Sequence, residues 1–405
     1  MVPVPHILRG ISNVRITRIF ASASSEHVLF LSEDGEVYVY GKNTAGQCGI
    51  DTKTDRFLSE PRKLDRIRDF VPPLAEGETI TIGAAGGDHS LLVTTNAVAQ
   101  STLFRRVDYF DAHDRIVSVS AGISFSVLAT AKGQVYTMGS HAHAQLGLGE
   151  FGWVHKGAGT VVYKTCTIPT YIPSLTHIVQ VACGQAHSVA LDKEGYVYTW
   201  GEGSFGRLGC GTQRNQPIPV KVQQFAQLPK QDRHGAFWAA GRVRRMGDGG
   251  PGQAFSIFKP LAPLEDVQCI EASVGQDVFQ CLAAEREKDN AQHLYSWGEG
   301  VSHGELGLVK RPPPMPCVSK AMDGISIRHV QSGRFLSLFL VEPNQRYADL
   351  PRIPQHVVSS DVCLVCHQGG AEDASTLLEC DRCENPFHLS CLQPPLESIP
   401  EARSV

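Results

Sequence analysis

Val181-Ala182-Cys183-Gly184-Gln185-Ala186-His187-Ser188, then Gly195-Tyr196-Val197-Tyr198-Thr199-Trp200-Gly201, then Phe205-Gly206-Arg207-Leu208-Gly209 form the clearest copy of a three-part phrase that recurs along the chain. Ser25-Glu26-His27 leads to Gly35-Glu36-Val37-Tyr38-Val39-Tyr40-Gly41 and Gly46-Gln47-Cys48-Gly49. Gly122-Ile123-Ser124-Phe125-Ser126 leads to Gly133-Gln134-Val135-Tyr136-Thr137-Met138-Gly139 and Gln145-Leu146-Gly147. A later copy runs from Gly275 through Leu294-Tyr295-Ser296-Trp297-Gly298 to Gly304-Glu305-Leu306-Gly307. Two copies are partial: Gly86-Gly87-Asp88-His89-Ser90 lacks the Tyr-x-x-Gly half, and Gly333-Arg334-Phe335-Leu336-Ser337 ends the array. Self-similarity of this kind sets the architecture before any single residue is weighed.

Each unit holds short runs rich in Val, Tyr, Thr and Trp joined by turns such as Ser32-Glu33-Asp34-Gly35 and Asp192-Lys193-Glu194-Gly195. The last glycine of such a turn supplies the positive φ of a bulged hairpin. His27 and His89, and again Phe125 and His187, stand about 60 residues apart. Short strands at that spacing predict an all-β chain of propeller blades. A helical solenoid would show a 3.6-residue period, and none is present.

The Gly-x-x-His-Ser, Tyr-x-Trp-Gly and Gly-x-Leu-Gly phrases resemble the regulator of chromosome condensation repeat over residues 12 to 340. Full members of that family form a seven-bladed β-propeller. Because the second unit is short and residues 226 to 265 interrupt the array, the expectation is six to seven blades. The domain reading is a propeller over 1–341 with an irregular insertion at 226–265, a linker at 342–360 carrying Pro343, Pro351 and Pro354, and a small zinc-binding module at 361–405.

Composition agrees with a turn-dense β domain and a small appendage: 405 residues, 39 of them glycine. A formal charge of -4 gives no whole-protein field toward nucleic acid or anionic membrane. No apolar signal core follows Met1, and no run of about 18 apolar residues occurs. The expected setting is intracellular, and nuclear by resemblance. Seven of the 12 cysteines, Cys48, Cys166, Cys183, Cys210, Cys269, Cys281 and Cys317, are scattered singly through the repeats, as small hydrophobes in a reducing compartment.

The other five cysteines cluster. Cys363-x-x-Cys366, Cys380-x-x-Cys383 and His388-x-x-Cys391 have the spacing of tight zinc knuckles, because a metal held by thiolates and imidazole needs its ligands on short turns. Leu377-Leu378-Glu379-Cys380-Asp381-Arg382-Cys383, Pro386-Phe387-His388-Leu389-Ser390-Cys391 and Leu392-Gln393-Pro394-Pro395-Leu396-Glu397-Ser398-Ile399-Pro400 resemble the plant homeodomain (PHD) finger over 361–400. A RING-type ubiquitin ligase shares the same cross-brace, but the Leu-x-Pro-Pro-Leu tail and the Cys-Asp-x-Cys pair favour the PHD reading.

The resemblance implies that Cys363, Cys366, His388 and Cys391 hold one Zn2+ and that Cys380 and Cys383 begin a second site. The family continues past Ile-Pro with a tryptophan and a final Cys-x-x-Cys, whereas this sequence ends Glu401-Ala402-Arg403-Ser404-Val405. The finger is therefore expected to be C-terminally incomplete, with fewer than two metals.

PHD fingers bind the histone H-three tail as an added β-strand, and the resemblance gives that role to Leu377, Leu378 and Glu379. Readers of trimethyl-lysine enclose the quaternary ammonium in aromatic rings. Here Pro386 precedes Phe387, no aromatic lies between Cys363 and Cys383, and Glu372 and Asp373 follow Gly369-Gly370. Carboxylates and backbone suit an unmethylated lysine, so an unmethylated tail is the expected ligand.

Other signals reduce to structure. Gly201-x-Gly203-x-x-Gly206 has the form of a dinucleotide fingerprint, but Pro217-Ile218-Pro219 follows it instead of a helix. His27, His89 and His187 share one repeat position, which predicts a repeated internal hydrogen bond, and Trp200 and Trp297 predict packing between blades. In the insertion, Arg242, Arg244 and Arg245 among glycines are the one local candidate for nucleic-acid or acidic-surface contact, with a solvated loop the plainer reading.

No triad, paired-carboxylate site or phosphate loop stands out, so a catalytic role is the weaker expectation. Three functions remain open. One is a non-catalytic chromatin-associated adaptor, with propeller faces binding proteins and the finger reading a histone tail. The others are guanine-nucleotide exchange on a small GTPase, and a ubiquitin-ligase component. Fold alone does not choose among them.

Overall fold

The computed structural model describes residues 5–11, 14–53, 55–100, 104–107, 109–110, 115–150, 153–156, 160–163, 165–226, 235–242, 254–285, 292–299, 305–306, 315–322, 324–342 and 350–354. In the C-terminal segment it describes 362–363, 365–366, 368–369, 377–380, 386–392, 395–396 and 398. The chain divides into two compact units: Ile16–Leu58 and Arg62–Glu342 with Met1–Pro5, and Pro343–Val405 with His6–Arg15 and Ser59–Pro61. In the second unit, β1 (Ile7–Leu8) pairs in parallel with a short strand at Arg352–Ile353.

The first unit is a series of antiparallel sheets in chain order. The first sheet is β2 (Ile16–Phe20), β3 (His27–Ser32), β4 (Val37–Lys42) and β5 (Phe57–Lys63). The second has five strands, β6 (Phe70–Val71), β7 (Ile80–Ala85), β8 (Ser90–Thr94), β9 (Val98–Gln100) and β10 (Phe104–Arg106). The third joins β11 (Ile116–Ala121), β12 (Phe125–Thr130) and β13 (Val135–Gly139) to β16 (Cys166–Tyr171), after an excursion through the hairpin β14 (Trp153–Lys156) and β15 (Thr160–Tyr163). The fourth is β17 (Ile178–Cys183), β18 (His187–Asp192), β19 (Val197–Gly201) and β20 (Gln216–Lys221).

A two-stranded sheet, β21 (Trp238–Gly241) and β22 (Phe255–Pro260), comes next. The fifth full sheet is β23 (Val267–Val274), β24 (Val278–Glu285), β25 (Gln292–Gly298) and β26 (Cys317–Val318). A last pair, β27 (Ile327–Ser332) and β28 (Ser337–Val341), packs against β23 on one side and β2 on the other, which closes the ring.

The all-β propeller stands, and its blade count is corrected: among the described residues five sheets reach blade size, not six to seven. The two hairpins are complementary halves of a blade. In β27–β28 the register slips between Ile327 and His329, as it does between Ile178 and Gln180 in β17–β18, so this pair is the inner half. In β21–β22 it slips between Ala239 and Gly241, as it does between Thr199 and Gly201 in β19–β20, so that pair is the outer half. Residues 226–265, expected as an irregular insertion, thus carry two blade strands. The second unit, expected to be short, has the largest sheet, because Val98–Gln100 pairs through its backbone without a Tyr or a Trp.

Repeated residues make repeated packing. Gly41, Gly139, Gly201, Gly241 and Gly298 end equivalent strands with φ between 101 and 125, where L side chains are strained. At the inner turn the N–H groups of Gly86, Gly122, Gly184, Gly275 and Gly333 bond to the carbonyl three residues on. A Cβ on Gly184 would lie 2.0 Å from the His187 ring, so glycine is what admits the ring over the turn.

Apolar layers lie between neighbouring blades: Leu31 and Val39 with Leu92 and Phe104, Leu91 and Val93 with Leu128 and Tyr136, Val127 and Val135 with Ile178 and Trp200. Being covered on both faces, β3, β8 and β12 are buried at every residue. Each fully buried Leu, Val or Phe there contributes about 1.5–3 kcal/mol.

Candidate metal centre

In the C-terminal unit, β30 (Leu377–Glu379) and β31 (Pro386–His388) pair antiparallel, with Leu377 opposite His388 and Glu379 opposite Pro386. A 3-10 turn at Leu389–Cys391 follows directly and returns Cys391 toward His388. An isolated bridge between Val362 and Gly369 and a Cys363 N–H donating to the Gln368 carbonyl at 2.9 Å fold the Cys363-x-x-Cys366 knuckle.

These elements gather the donor atoms of Cys363, Cys366, His388 and Cys391 within 4.8 Å of one another. His388 Nδ1 lies 3.3 Å from Cys366 Sγ and 3.9 Å from Cys391 Sγ. A tetrahedral ion with metal–sulfur bonds of about 2.3 Å and a metal–nitrogen bond of about 2.0 Å places such donors about 3.6 Å apart, so the residues fit a structural Zn2+. Burial opposes ionisation of Cys363, but the N–H groups of Cys366, His388 and Val365 aimed at its sulfur outweigh it and draw the thiol down to about 6. Thiolate character is what a metal ligand needs.

The remaining expected residues fall elsewhere. Cys380 is half-buried just after β30, while Cys383, Glu372 and Asp373 lie outside the described residues. Leu377 and Leu378 are half-buried and Glu379 ends the strand. Among the described residues β31 is the single pairing partner of β30. Arg242 is exposed with its guanidinium 3.9 Å from the centre of the Phe205 ring, and Arg244 and Arg245 are outside the described residues.

The repeated histidines do make repeated bonds, running between blades: His27 Nε2 to Ser90 Oγ at 2.6 Å, and His89 Nε2 to Ser126 Oγ at 2.7 Å. Trp200 Nε1 donates to the Gln145 carbonyl of the preceding blade at 2.9 Å. The Gly201-x-Gly203-x-x-Gly206 segment is filled by protein: a Cβ on Gly203 would lie 2.0 Å from the Arg214 carbonyl oxygen, and one on Gly206 would lie 2.6 Å from Ser256 Cα.

Sequence reasoning missed the ring closure. Glu271 accepts from the Val330 N–H at 2.9 Å and faces His329 Nδ1 at 2.5 Å, while His329 Nε2 meets the Ile19 carbonyl at 3.2 Å. Arg334 bridges Gln276 and Glu26 at 2.7 and 2.6 Å. Unlike the repeated glycines, these residues occur once each, so no pattern marks them.

Comparison with known proteins gives the class: an RCC-repeat propeller with a C-terminal PHD-type finger. The regulator of chromosome condensation (RCC1) repeat matches residues 34–93, 132–191 and 194–232, with a second RCC1-repeat profile at 20–47 and 178–207, and the PHD-finger profile matches 363–404. Protein RCC2 of Mus musculus is 24% identical over 406 residues, covering 87% of this chain and 73% of its own. E3 ubiquitin-protein ligase HERC2 of Homo sapiens is 30% identical over 234 residues, 55% of this chain but 5% of that ligase. The crystal structure of Prp20p from Saccharomyces cerevisiae superimposes with a TM-score of 0.64 at 20% identity, covering 82% of this chain and 83% of Prp20p. Among the described residues no helix is long and apolar enough to cross a membrane.

Proposed function

We propose that the chain is a non-catalytic chromatin-associated adaptor. Its propeller presents protein-binding surfaces, and its finger, holding Zn2+ through Cys363, Cys366, His388 and Cys391, takes up the histone H-three tail along β30. The observation that carries this reading is the gathering of four donors around His388, the last residue of β31. A metal there fixes β31, and β31 in turn fixes β30, which has no other strand partner among the described residues. A tail added to that edge would gain main-chain hydrogen bonds, with Leu377, Leu378 and Glu379 alongside it.

The absence of aromatic residues between Cys363 and Cys383, with Glu372 and Asp373 in the same stretch, favours a free ammonium over a trimethylated one. Calorimetric titration of the zinc-loaded chain with unmethylated and trimethylated tail peptides tests both parts. Tighter binding of the unmethylated peptide, lost on chelation, is expected. Preference for the methylated peptide would refute the specificity, and binding of neither would refute the reader role.

A second reading draws on Prp20p, a propeller described with its binding properties to Gsp1p and histones. It makes this chain an exchange factor for a small GTPase. Accelerated nucleotide release from a purified small GTPase would support that reading over the adaptor. The likeness to HERC2 lies in a twentieth of that ligase, and autoubiquitination with conjugating enzymes would test a ligase role.

A further inference from the structure

The six inner hairpins share one register, which allows their positions to be compared residue by residue. The residue that opens the inner strand, just before the register slip, is Ile16, Ile80, Ile116, Ile178 or Ile327 in five of them, and Cys269 in the sixth. The residue two pairs further along the facing strand is Phe30, Leu92, Leu128, Ala190 or Phe339 in the same five, and Cys281 in the sixth. Blade five alone places a cysteine at both positions.

The two sulfurs meet. Cys281 Sγ lies 3.1 Å from Cys269 Sγ, about 1 Å beyond a covalent sulfur–sulfur bond. Cys281 is fully buried beside Val267, Ala283 and Trp297, while Cys269 is half-buried. The slip between Cys269 and Glu271 brings Cys269 diagonally toward Cys281, whose own direct partner is Ala272.

We propose that Cys269 and Cys281 are a redox-modifiable pair that closes to an intrachain disulfide when a low-molecular-weight disulfide such as oxidised glutathione is present. Cys269, the accessible member, attacks one glutathione sulfur as its thiolate and releases one glutathione thiolate. Cys281 then attacks the Cys269 sulfur of the mixed disulfide and releases the second. Two cysteine thiols are oxidised, one glutathione disulfide is reduced to two thiols, and the two cysteine protons end on the released glutathiones. The Cys281 S–H donates to Cys269, which favours the Cys269 thiolate as first nucleophile and holds the Cys281 proton until the second step. The bond joins β23 to β24 two residues before Glu271, the carboxylate that holds β27.

The test exposes the zinc-loaded chain to a series of glutathione redox buffers, blocks free thiols, and digests with a protease that cuts after Glu271, between the two cysteines. Expected is a linked Cys269–Cys281 peptide pair that separates on reduction, with the scattered thiols Cys48 and Cys166 still blocked. Cys269→Ile and Cys281→Ala use residues that other blades carry at these positions, and each must abolish the link. Both cysteines remaining blockable in the oxidising buffers, or glutathione on Cys269 with Cys281 still free, would overturn the proposal.

Discussion

Replacing His27 by Gln should remove about one proton's worth of acid sensitivity from the propeller. His27 is fully buried, and burial, with His89 nearby, pushes it down to about 3 from an ordinary value of 6.5. His187 is driven the same way by burial and by Arg207, down to about 4. Both folded values lie below the unfolded one, so the unfolded chain takes up the proton first. The stability each contributes is intact above pH 6.5 and is lost as the pH falls toward the folded value.

At pH 5 the unfolded imidazole is almost wholly protonated and the folded one almost wholly neutral, which fixes the loss at about 2 kcal/mol per histidine relative to pH 8. That figure depends on the unfolded value and hardly on how far below 5 the folded value lies. Two such groups together lose about 4 kcal/mol, a large share of the roughly 5–15 kcal/mol of a folded domain. Gln keeps a polar group for the Ser90 hydroxyl and cannot titrate. The assay is equilibrium denaturation at pH 8, 7, 6 and 5, followed by tryptophan fluorescence, since Trp200 and Trp297 are fully buried. The variant should start lower at pH 8, where it forfeits the His27–Ser90 bond, and then fall about 2 kcal/mol less than the parent by pH 5. Parallel profiles would refute a neutral, buried His27.

His329 should act in the opposite sense. Facing the Glu271 carboxylate and the Ile19 carbonyl, it is raised above 6.5 against its own burial, so its stabilisation is complete below 6.5 and is lost as pH rises through the folded value. His329→Gln should cost about 1–2 kcal/mol at pH 6 and little at pH 9, and an equal cost at both would refute the ion pair. Gly139→Ala adds a Cβ 2.4 Å from the Ser124 carbonyl oxygen at a φ of 107, and should lower stability by about 3 kcal/mol or more in a melt. A change of a few tenths would refute the close approach. The 405-residue chain should hold one zinc by metal analysis, and His388→Ala should lose it. A ratio of two would sink the single-site reading.

Legibility in the sequence followed repetition. Gly184, His187 and Trp200 mark strands because a turn, a ring over that turn and an inter-blade indole are needed in each copy. Strand pairing needs only backbone, so Val98–Gln100 and Phe255–Pro260 entered blades unannounced, and the blade count went astray with them. In the finger, the spacing alone brought four ligands to one place. The pairing of Cys269 with Cys281 escaped because it is diagonal and depends on a register slip that no residue type signals. Glu271 and His329 met only because the last hairpin closes on the first blade, a contact between residues 58 positions apart in two different sheets.

The same slip of neighbour explains why one motif has three outcomes. His27 and His89 each find a serine on the next inner strand pair, Ser90 and Ser126. His187 stands in the best-formed copy of the repeat, but the sheet that follows it, β21–β22, is an outer half with no inner strands among the described residues. Its Nδ1 is buried without a partner, and β18 is only half-buried at His187, Val189 and Leu191, where β3 and β12 are covered throughout. What a repeat residue does is therefore set by the blade after it. Five complete blades cover one another's inner strands; where a half-blade follows, the same residues face outward. A partner that distinguishes this propeller from others of its kind has distinctive surface to bind at β18 and along the unpaired edges of the two half-blades, because strand edges left open are what proteins otherwise cover.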